Sequence, residues 1–313
     1  MSTEQSTAQE PFNTLVVLGP TASGKTALGV YLARCLGGEI LSADSRQVYR
    51  ELIVGSGKDL HEYGEGGAPV PYHLIDVVGL DVEFNVFEYQ RRFFEVFESL
   101  REKEALPVVV GGTGLYLESV LKGHRMVEAP EDAALRSELA DESTETLTAR
   151  LRSLKPALHN ITDTDDRGRL IRAIEIAVYA ETHEPPPAPP VHALVLGLRW
   201  PRPELHERIG RRLKARLDHG MVEEVEALLD AGVSPGRLRL LGLEYRFLTD
   251  YVEGRIKNRN DLCQKLRAAI VAFAKRQETW FRRMERKGTA IAWIDRGNPE
   301  EARGAVERAL RSV

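Results

Sequence analysis

Between Gly19 and Thr26 the chain reads GPTASGKT, which fits the phosphate-loop pattern G-x-x-x-x-G-K-[ST]. Gly19, Pro20, Thr21, Ala22, Ser23, Gly24, Lys25 and Thr26 together form the candidate site for a phosphate chain. Backbone N–H groups of such a loop and of the helix it opens point at phosphate oxygens. Lys25 adds a compact positive charge, and the Thr26 hydroxyl can hold Mg2+. The pattern identifies a di- or triphosphate but no reaction. A hydrolase would need a further acid at the end of a later strand to hold the metal and polarise water. Asp76, in HLID, follows a β-rich run but has no neighbouring acid or water-positioning glutamine, and it suits loop orientation equally well. Asp44, in SADSRQVYR, falls at the apparent C-terminal edge of the second strand, where open α/β sheets bind ligands. The same position also suits an Asx turn, and spacing alone does not separate the two.

The elements that must position these residues alternate. Thr14–Leu18 is β-rich, and Ala27–Leu36 has helical apolar spacing. A short strand at 39–42, a strand near His73–Val77 and a helix over 85–103 follow. A strand Pro107–Val110 then runs into GGTG and a helix from Leu115. This order predicts an α/β fold with a parallel sheet covered by helices on both faces. From 127 the pattern becomes helical and polar, closing with EPPPAPP at 184–190, a stiff extended connector. A β-rich run at 192–198 resumes the sheet, and helices follow over 202–218, 221–231 and 260–287. The expected organisation is a core of 14–126 and 191–313, with a basic helical C-terminal part, a helical insertion at 127–190 and a flexible tail at 1–13.

Composition narrows the classes. The 313 residues are 42% hydrophobic and 29% charged, which excludes fibrous and disordered chains. No apolar run approaches the roughly 18–20 residues of a membrane helix, so no membrane partner is expected. The start, MSTEQSTAQEP, has neither a basic segment nor an apolar core, so a cytoplasmic location is expected. Cys35 and Cys263 are too isolated for a zinc site and are expected to be buried free thiols. Charge is uneven. Residues 199–288 carry 21 Lys and Arg against 13 Asp and Glu, a net of +8 in a chain whose total is −4. That third could face a polyanion, although solvated amphipathic helices are the commoner cause of such a bias.

Seven segments taken in order resemble the tRNA dimethylallyltransferases, also called tRNA isopentenyltransferases. They are GPTASGKT, SADSRQVYR, HLID, GGTGLYL, DRGRLIRAIE, HERIGRRLKARL with GMVEEV, and AKRQETWFR. The resemblance covers about residues 14–285 and implies a P-loop NTPase-like fold. The implied reaction moves the dimethylallyl group of dimethylallyl diphosphate to the exocyclic amine of the adenosine 3′-adjacent to the anticodon. On that reading a diphosphate fills the phosphate loop, and no hydrolytic acid is required. Asp44 matches the family's general base, Thr113 a residue beside the reacting centre, and Arg212 a cation that joins Lys25 on the leaving diphosphate. Arg208 lies one helical turn before Arg212; without the resemblance both would read as a solvated face.

For the RNA, Ser45, Arg46 and Gln47 match the stretch that contacts the adenosine, with Gln47 offering an amide to read a base edge. Gly168, Arg169, Leu170, Ile171 and Arg172 match a stretch near the RNA. Lys275, Arg276, Arg282 and Arg283 with Trp280 make a basic face suited to phosphate contact and stacking, while Trp280 and Phe281 could equally be core. The implied cofactor is Mg2+, the implied partner a tRNA anticodon stem-loop, and a monomer is expected. The chain departs from the family ahead of AKRQ, where a Thr-Arg pair is usual and this chain has Ile270, Val271, Ala272 and Phe273, at Tyr72, and at Gly55–Asp59, which follows the family's GTxKP only loosely. Two rival readings are an adenylate isopentenyltransferase acting on free nucleotides and a P-loop kinase or NTPase. The helical insertion and the basic C-terminal helix argue against the first, since a mononucleotide needs neither.

Overall fold

The central strands are short, rich in aliphatic residues and largely buried, as strands covered by helices on two faces must be. In the computed structural model, which describes residues 12–123, 126–154, 167–185 and 187–311, the first half runs β1 (Thr14–Leu18), α1 (Lys25–Leu36), β2 (Gly38–Ala43), a 3-10 turn (Leu60–Tyr63), β3 (Tyr72–His73), α2 (Val86–Glu102), β4 (Leu106–Gly111) and α3 (Gly114–Leu121). Three helices follow: α4 (Ala133–Leu139), α5 (Thr144–Leu154) and α6 (Arg167–Ala180). The chain then returns through β5 (Ala193–Arg199), α7 (Arg202–Asp218), α8 (Met221–Asp230), α9 (Pro235–Leu240), α10 (Leu243–Val252), α11 (Arg259–Arg286), β6 (Ala292–Asp295) and α12 (Pro299–Arg311).

All strand pairs are parallel, in the order β3-β2-β4-β1-β5-β6. Alternation along β1 sends Leu15 and Val17 to one face and Val16 and Leu18 to the other. The first pair packs with Leu28 and Leu32 of α1 and Val306 of α12. The second joins a larger core built from α2, α3 and α7 to α11. The expected fold class holds. Side-chain oxygens of Asn85 and Asn258 accept the Glu88 and Asp261 N–H groups and so fix where α2 and α11 begin. No helix among the described residues is long and apolar enough to cross a membrane.

The chain divides into two compact units, 1–123 with 190–313, and 124–189. The second unit has its own core, made by Leu135, Leu139, Leu147, Leu151, Leu170 and Ile174. Beside that core the Glu175 carboxylate accepts from Arg136 Nε at 2.7 Å, the Asp132 N–H at 2.9 Å and Arg172 at 3.0 Å. Arg172 also donates to the carbonyls of Ala129 and Pro130. Within this unit Leu170 is therefore core and Arg172 closes a turn, while Gly168 and Arg169 are exposed.

Several local expectations change. The strand expected at His73–Val77 is only Tyr72–His73, because Leu74 and Asp76 adopt positive φ (64° and 57°) and leave the pleat. Asp76 instead pairs with Lys58, whose buried ammonium also donates to the Tyr49 and Arg50 carbonyls. Cys35 is exposed and Cys263 half-buried against the edge of the larger core, which overturns the buried-thiol expectation. Helices α9, α10 and α12 and strand β6 add to the elements expected from sequence. Most of the expected tail, residues 1–11, lies outside the described residues, as do 155–166 of the insertion.

Burial pushes the Glu175 carboxyl up, but the bonds from Arg136, Asp132 and Arg172 outweigh it and hold the value at about 2, below the ordinary 4.5. A depressed folded-state value gives stability that is present above the unfolded value and lost as pH falls through the folded one. Glu175→Gln is therefore expected to destabilise the 124–189 unit at neutral pH by roughly 1–3 kcal/mol, a moderate figure because both arginines are over a third exposed. In calorimetry the gap between variant and wild type should close as pH falls from 4.5 toward 2; a gap constant across that window would contradict the assignment.

Candidate active site at the C-terminal edge of the sheet

Strand order brings three loops together. Because β4 lies between β2 and β1, the segments that follow β1, β2 and β4 emerge side by side at one edge, and Gly111 stands level with both Leu18 and Ala43. These segments are the phosphate loop, the Asp44 turn and the Gly112–Thr113 loop. Ligands bind in such sheets outside the carboxyl ends of the strands.

In the phosphate loop Gly19 and Pro20 leave β1 buried, and Ala22 (φ 61°) and Gly24 (φ 88°) turn the backbone into the left-handed region before Lys25 opens α1. Arg208 and Trp200 support the loop from behind. Arg208 Nε donates to the Ala22 carbonyl at 2.7 Å, Trp200 Nε1 donates to the Ser23 carbonyl at 3.0 Å, and the guanidinium lies 4.2 Å over the Trp200 ring. Arg208 is thus a buttress of the loop rather than a solvated side chain. The buried Ser23 hydroxyl has no hydrogen-bond partner among the described residues. The Lys25 pKa is lowered to about 8, first by burial and then by the charges of Arg212 and Arg216, against which Asp44 and Glu62 act. A cation in that condition gains when an anion arrives.

The Asp44 turn is fastened at several points. Asp44 Oδ1 accepts the Arg46 N–H at 2.9 Å, so the Asx turn is present, and Thr113 Oγ1 accepts the Ser45 N–H at 3.1 Å. Thr113 stands at the N-cap position of α3, yet its hydroxyl caps no helical N–H; it ties the two loops together. Its own N–H donates to the Ala43 carbonyl. Gln47 differs from expectation. It is buried, its Oε1 accepts from Ser42 Oγ at 2.8 Å and its Nε2 donates to the Gly57 carbonyl at 3.1 Å, so the amide is engaged inside the protein rather than turned toward a base. Ser45 and Arg46 are half-buried beside it.

Arg212 and Arg216 reach the site from α7, and both pair with Asp59. The loop that carries Asp59 is held by Glu224 of α8, whose carboxylate accepts the N–H groups of Ile53, Val54 and Gly55 at 2.7–2.9 Å and the Tyr245 hydroxyl. That gives the GMVEEV segment a structural task. On α11, Lys275, Arg276 and Arg282 are exposed. Arg283, seven positions after Arg276 on the same helix, is instead engaged within the protein. It donates to the buried Glu118 at 2.8 Å and lies 4.0 Å over the Trp280 ring, which packs against Gly114; Phe281 is core.

One residue of the site was not among those singled out by motif. Gln277 of α11 sends Oε1 to the Thr21 N–H and Nε2 to the Gly112 carbonyl, both at 2.9 Å, and so clamps the phosphate loop to the loop after β4. Gly112 leaves it room, since a Cβ there would lie 2.4 Å from Nε2. The signal available in the sequence is a glutamine inside the buried stripe Leu262, Leu266, Ile270, Ala274, Gln277, Phe281, Met284. Gln277→Leu keeps the volume and strands both backbone groups. It is expected to weaken binding of Mg2+-pyrophosphate about tenfold, the weight of one or two hydrogen bonds of roughly 1 kcal/mol each. Calorimetric titration checks this; unchanged affinity would return Gln277 to packing alone.

Comparison with known proteins shows the family. The sequence profile of IPP transferases matches residues 47–284. The tRNA dimethylallyltransferase 1 of Geotalea uraniireducens is 56% identical over 283 residues, covering 90% of this chain and 92% of the relative. That of Geotalea daltonii is 57% identical over 284 residues, 91% of each chain. The crystal structure of the full-length tRNA isopentenylpyrophosphate transferase of Bacillus halodurans superposes with a TM-score of 0.69 at 29% identity, covering 96% of this chain and 97% of that one. With most of its length matched at more than half identity and the same fold beneath it, this chain belongs to the IPP transferase family.

Proposed function

We propose that this protein is a tRNA dimethylallyltransferase: it moves the dimethylallyl group of dimethylallyl diphosphate to the exocyclic amine of the adenosine 3′-adjacent to the anticodon, releasing diphosphate. The observation that carries the reading is the convergence, in a member of the IPP transferase family, of the phosphate loop and the Asp44 turn at one sheet edge, joined through Thr113 and Gln277. The exocyclic amine is a poor nucleophile because its lone pair is delocalised into the ring. In the proposed step that nitrogen forms a bond to the allylic carbon, the carbon–oxygen bond breaks, and its electron pair stays on the diphosphate. The amine proton passes to the Asp44 carboxylate, which the Asx turn and the Ser45–Thr113 bond orient.

The leaving diphosphate gains charge as the bond breaks, so Lys25 and Arg212 stabilise the transition state more than the ground state. The loop from Gly19 to Thr26 supplies N–H groups, and the buried Ser23 hydroxyl supplies a further donor. A small cavity between the phosphate loop and α7 is lined by Arg212, Arg216 and Glu244 together with Ile209, Leu213, Met221 and Ile270, so charged and apolar side chains meet beside the loop. The donor set fits Mg2+ in the manner of phosphate-loop proteins. Thr26 offers one hydroxyl at the start of α1, and no cluster of three His, Cys, Asp or Glu among the described residues would compete as a protein-only cage. When bound, the ion would neutralise charge on the diphosphate.

For the RNA, the target base must leave its stack, which costs least in a single-stranded loop. Lys275, Arg276 and Arg282 on the exposed side of α11 and the exposed Gly168 and Arg169 of the inserted unit are the proposed phosphate contacts. The protein is proposed to act as a monomer in the cytoplasm. Incubation with dimethylallyl diphosphate and unmodified tRNA, followed by mass spectrometry of the nucleosides, should yield dimethylallyl-adenosine from tRNA and none from free AMP. Product from AMP but not tRNA would favour a free-nucleotide prenyltransferase, and ATP hydrolysis with no prenylated product would return the phosphate loop to an NTPase role.

A further inference from the structure

We infer that Arg216 is a second arginine of the diphosphate site, and that Asp59 competes with the diphosphate for the guanidinium groups of Arg212 and Arg216. Both arginines stand on α7 four residues apart, so their side chains share one helix face. Arg216 lies deeper, with its side chain 15% exposed against 33% for Arg212. It lines the same cavity as Thr21 and Ala22 of the phosphate loop.

The surroundings are shaped for a cation at this place. Gly57 has φ +68°, and a Cβ there would sit 1.7 Å from a terminal nitrogen of Arg216, so the chain carries no side chain where the guanidinium passes. Burial, and after it the charge of Arg212, lowers the pKa of Arg216, and both arginines in turn depress Lys25. Three cations thus act on one another across a small volume. Against the two arginines stands one close carboxylate, while Asp44 acts on Lys25. A single oxygen of Asp59, Oδ2, receives a donor from each arginine, although two guanidinium groups together present ten N–H donors. The acids next in range are poorly placed to neutralise the excess: burial raises the pKa of both Glu62 and Glu244. A diphosphate carries more charge and more acceptor oxygens than one carboxylate, and guanidinium forks match phosphate oxygens in pairs. Exchange of Asp59 for diphosphate on this arginine pair is therefore favourable. Asp59 is itself held in the left-handed region at φ 43°, on the loop pinned by Glu224.

This inference rests on the diphosphate reading of the phosphate loop, and its test separates the two. Mg2+-pyrophosphate is titrated calorimetrically into the full-length protein and into Lys25→Ala, Arg216→Gln, Arg216→Lys and Asp59→Asn, with melting temperatures measured alongside. Arg216→Gln should weaken binding roughly tenfold or more, and Arg216→Lys should recover part of the loss, since it keeps the charge but not the fork. Asp59→Asn should tighten binding by several-fold, about the weight of one displaced charge-assisted hydrogen bond. An ion pair that merely anchors the loop to α7 predicts instead that Arg216→Gln and Asp59→Asn weaken binding alike. That result, or no change in either while Lys25→Ala abolishes binding, overturns the role of Arg216 and Asp59 and leaves the diphosphate reading intact. Should Lys25→Ala also bind normally, the diphosphate reading falls and the inference with it. If Arg216→Gln does not fold, the opposite signs expected for Arg216→Lys and Asp59→Asn carry the test.

Discussion

Positive charge crowded beside the phosphate loop and partly withdrawn from water is the constraint around which this molecule is arranged. Arg212 and Arg216 both depress the ionisation of Lys25, and Arg212 that of Arg216, with burial the first cause in each case. Such a cluster is costly by itself and becomes favourable when a polyanion enters it. The neighbouring structure keeps it in place. Asp59 partners the arginines, Glu224 fixes the loop that carries Asp59, and Arg208 with Trp200 braces the phosphate loop from behind. The same logic is repeated in miniature away from the site, where Lys58 is buried with Asp76 and two carbonyls, and where Glu118 takes Arg283 and Lys287.

A second requirement is register between the loops. A transfer reaction needs its nucleophile, base and leaving group within fractions of an ångström of the productive arrangement, and loops alone do not hold that. Here three adjacent parallel strands set the level of the loops, and two side chains tie the loops to each other: Thr113 holds the Asp44 turn, and Gln277 holds the phosphate loop to Gly112. Both ties end on backbone groups, so they constrain the path of the chain rather than one rotamer.

Much of this is legible in the sequence. GPTASGKT is a local pattern whose geometry follows from its own residues, and the alternation of β-rich runs with helical spacing leads to a parallel sheet because each pattern is set within one element. What sequence reading misses is set by distant contacts. The run at His73–Val77 looks like a strand, yet Asp76 turns away to meet Lys58, eighteen positions earlier. Gln47 carries an amide suited to base reading, but Ser42 and Gly57 engage it. Arg283 sits in a basic run and is claimed by Glu118, 165 positions away. Gln277 and Asp59 escape notice for the same reason, since their partners lie 256 and 153 positions off. Among the proposed catalytic residues, Lys25 follows from the spacing of the phosphate-loop pattern, whereas the roles of Asp44, Thr113 and Arg212 follow from motif order and resemblance.

The central claim is that the Asp44 carboxylate takes the proton of the attacking amine, and the structure makes a clean test available. Asn can accept the Arg46 N–H as Asp44 does, so Asp44→Asn keeps the turn and removes only the proton acceptor. Single-turnover prenylation of tRNA by Asp44→Asn, with diphosphate and tRNA affinities and melting temperature measured in parallel, should show a rate lower by roughly 10²- to 10⁴-fold with binding and folding little changed. A rate near that of the wild-type protein would leave Asp44 as a turn residue and the proposed reaction without a base.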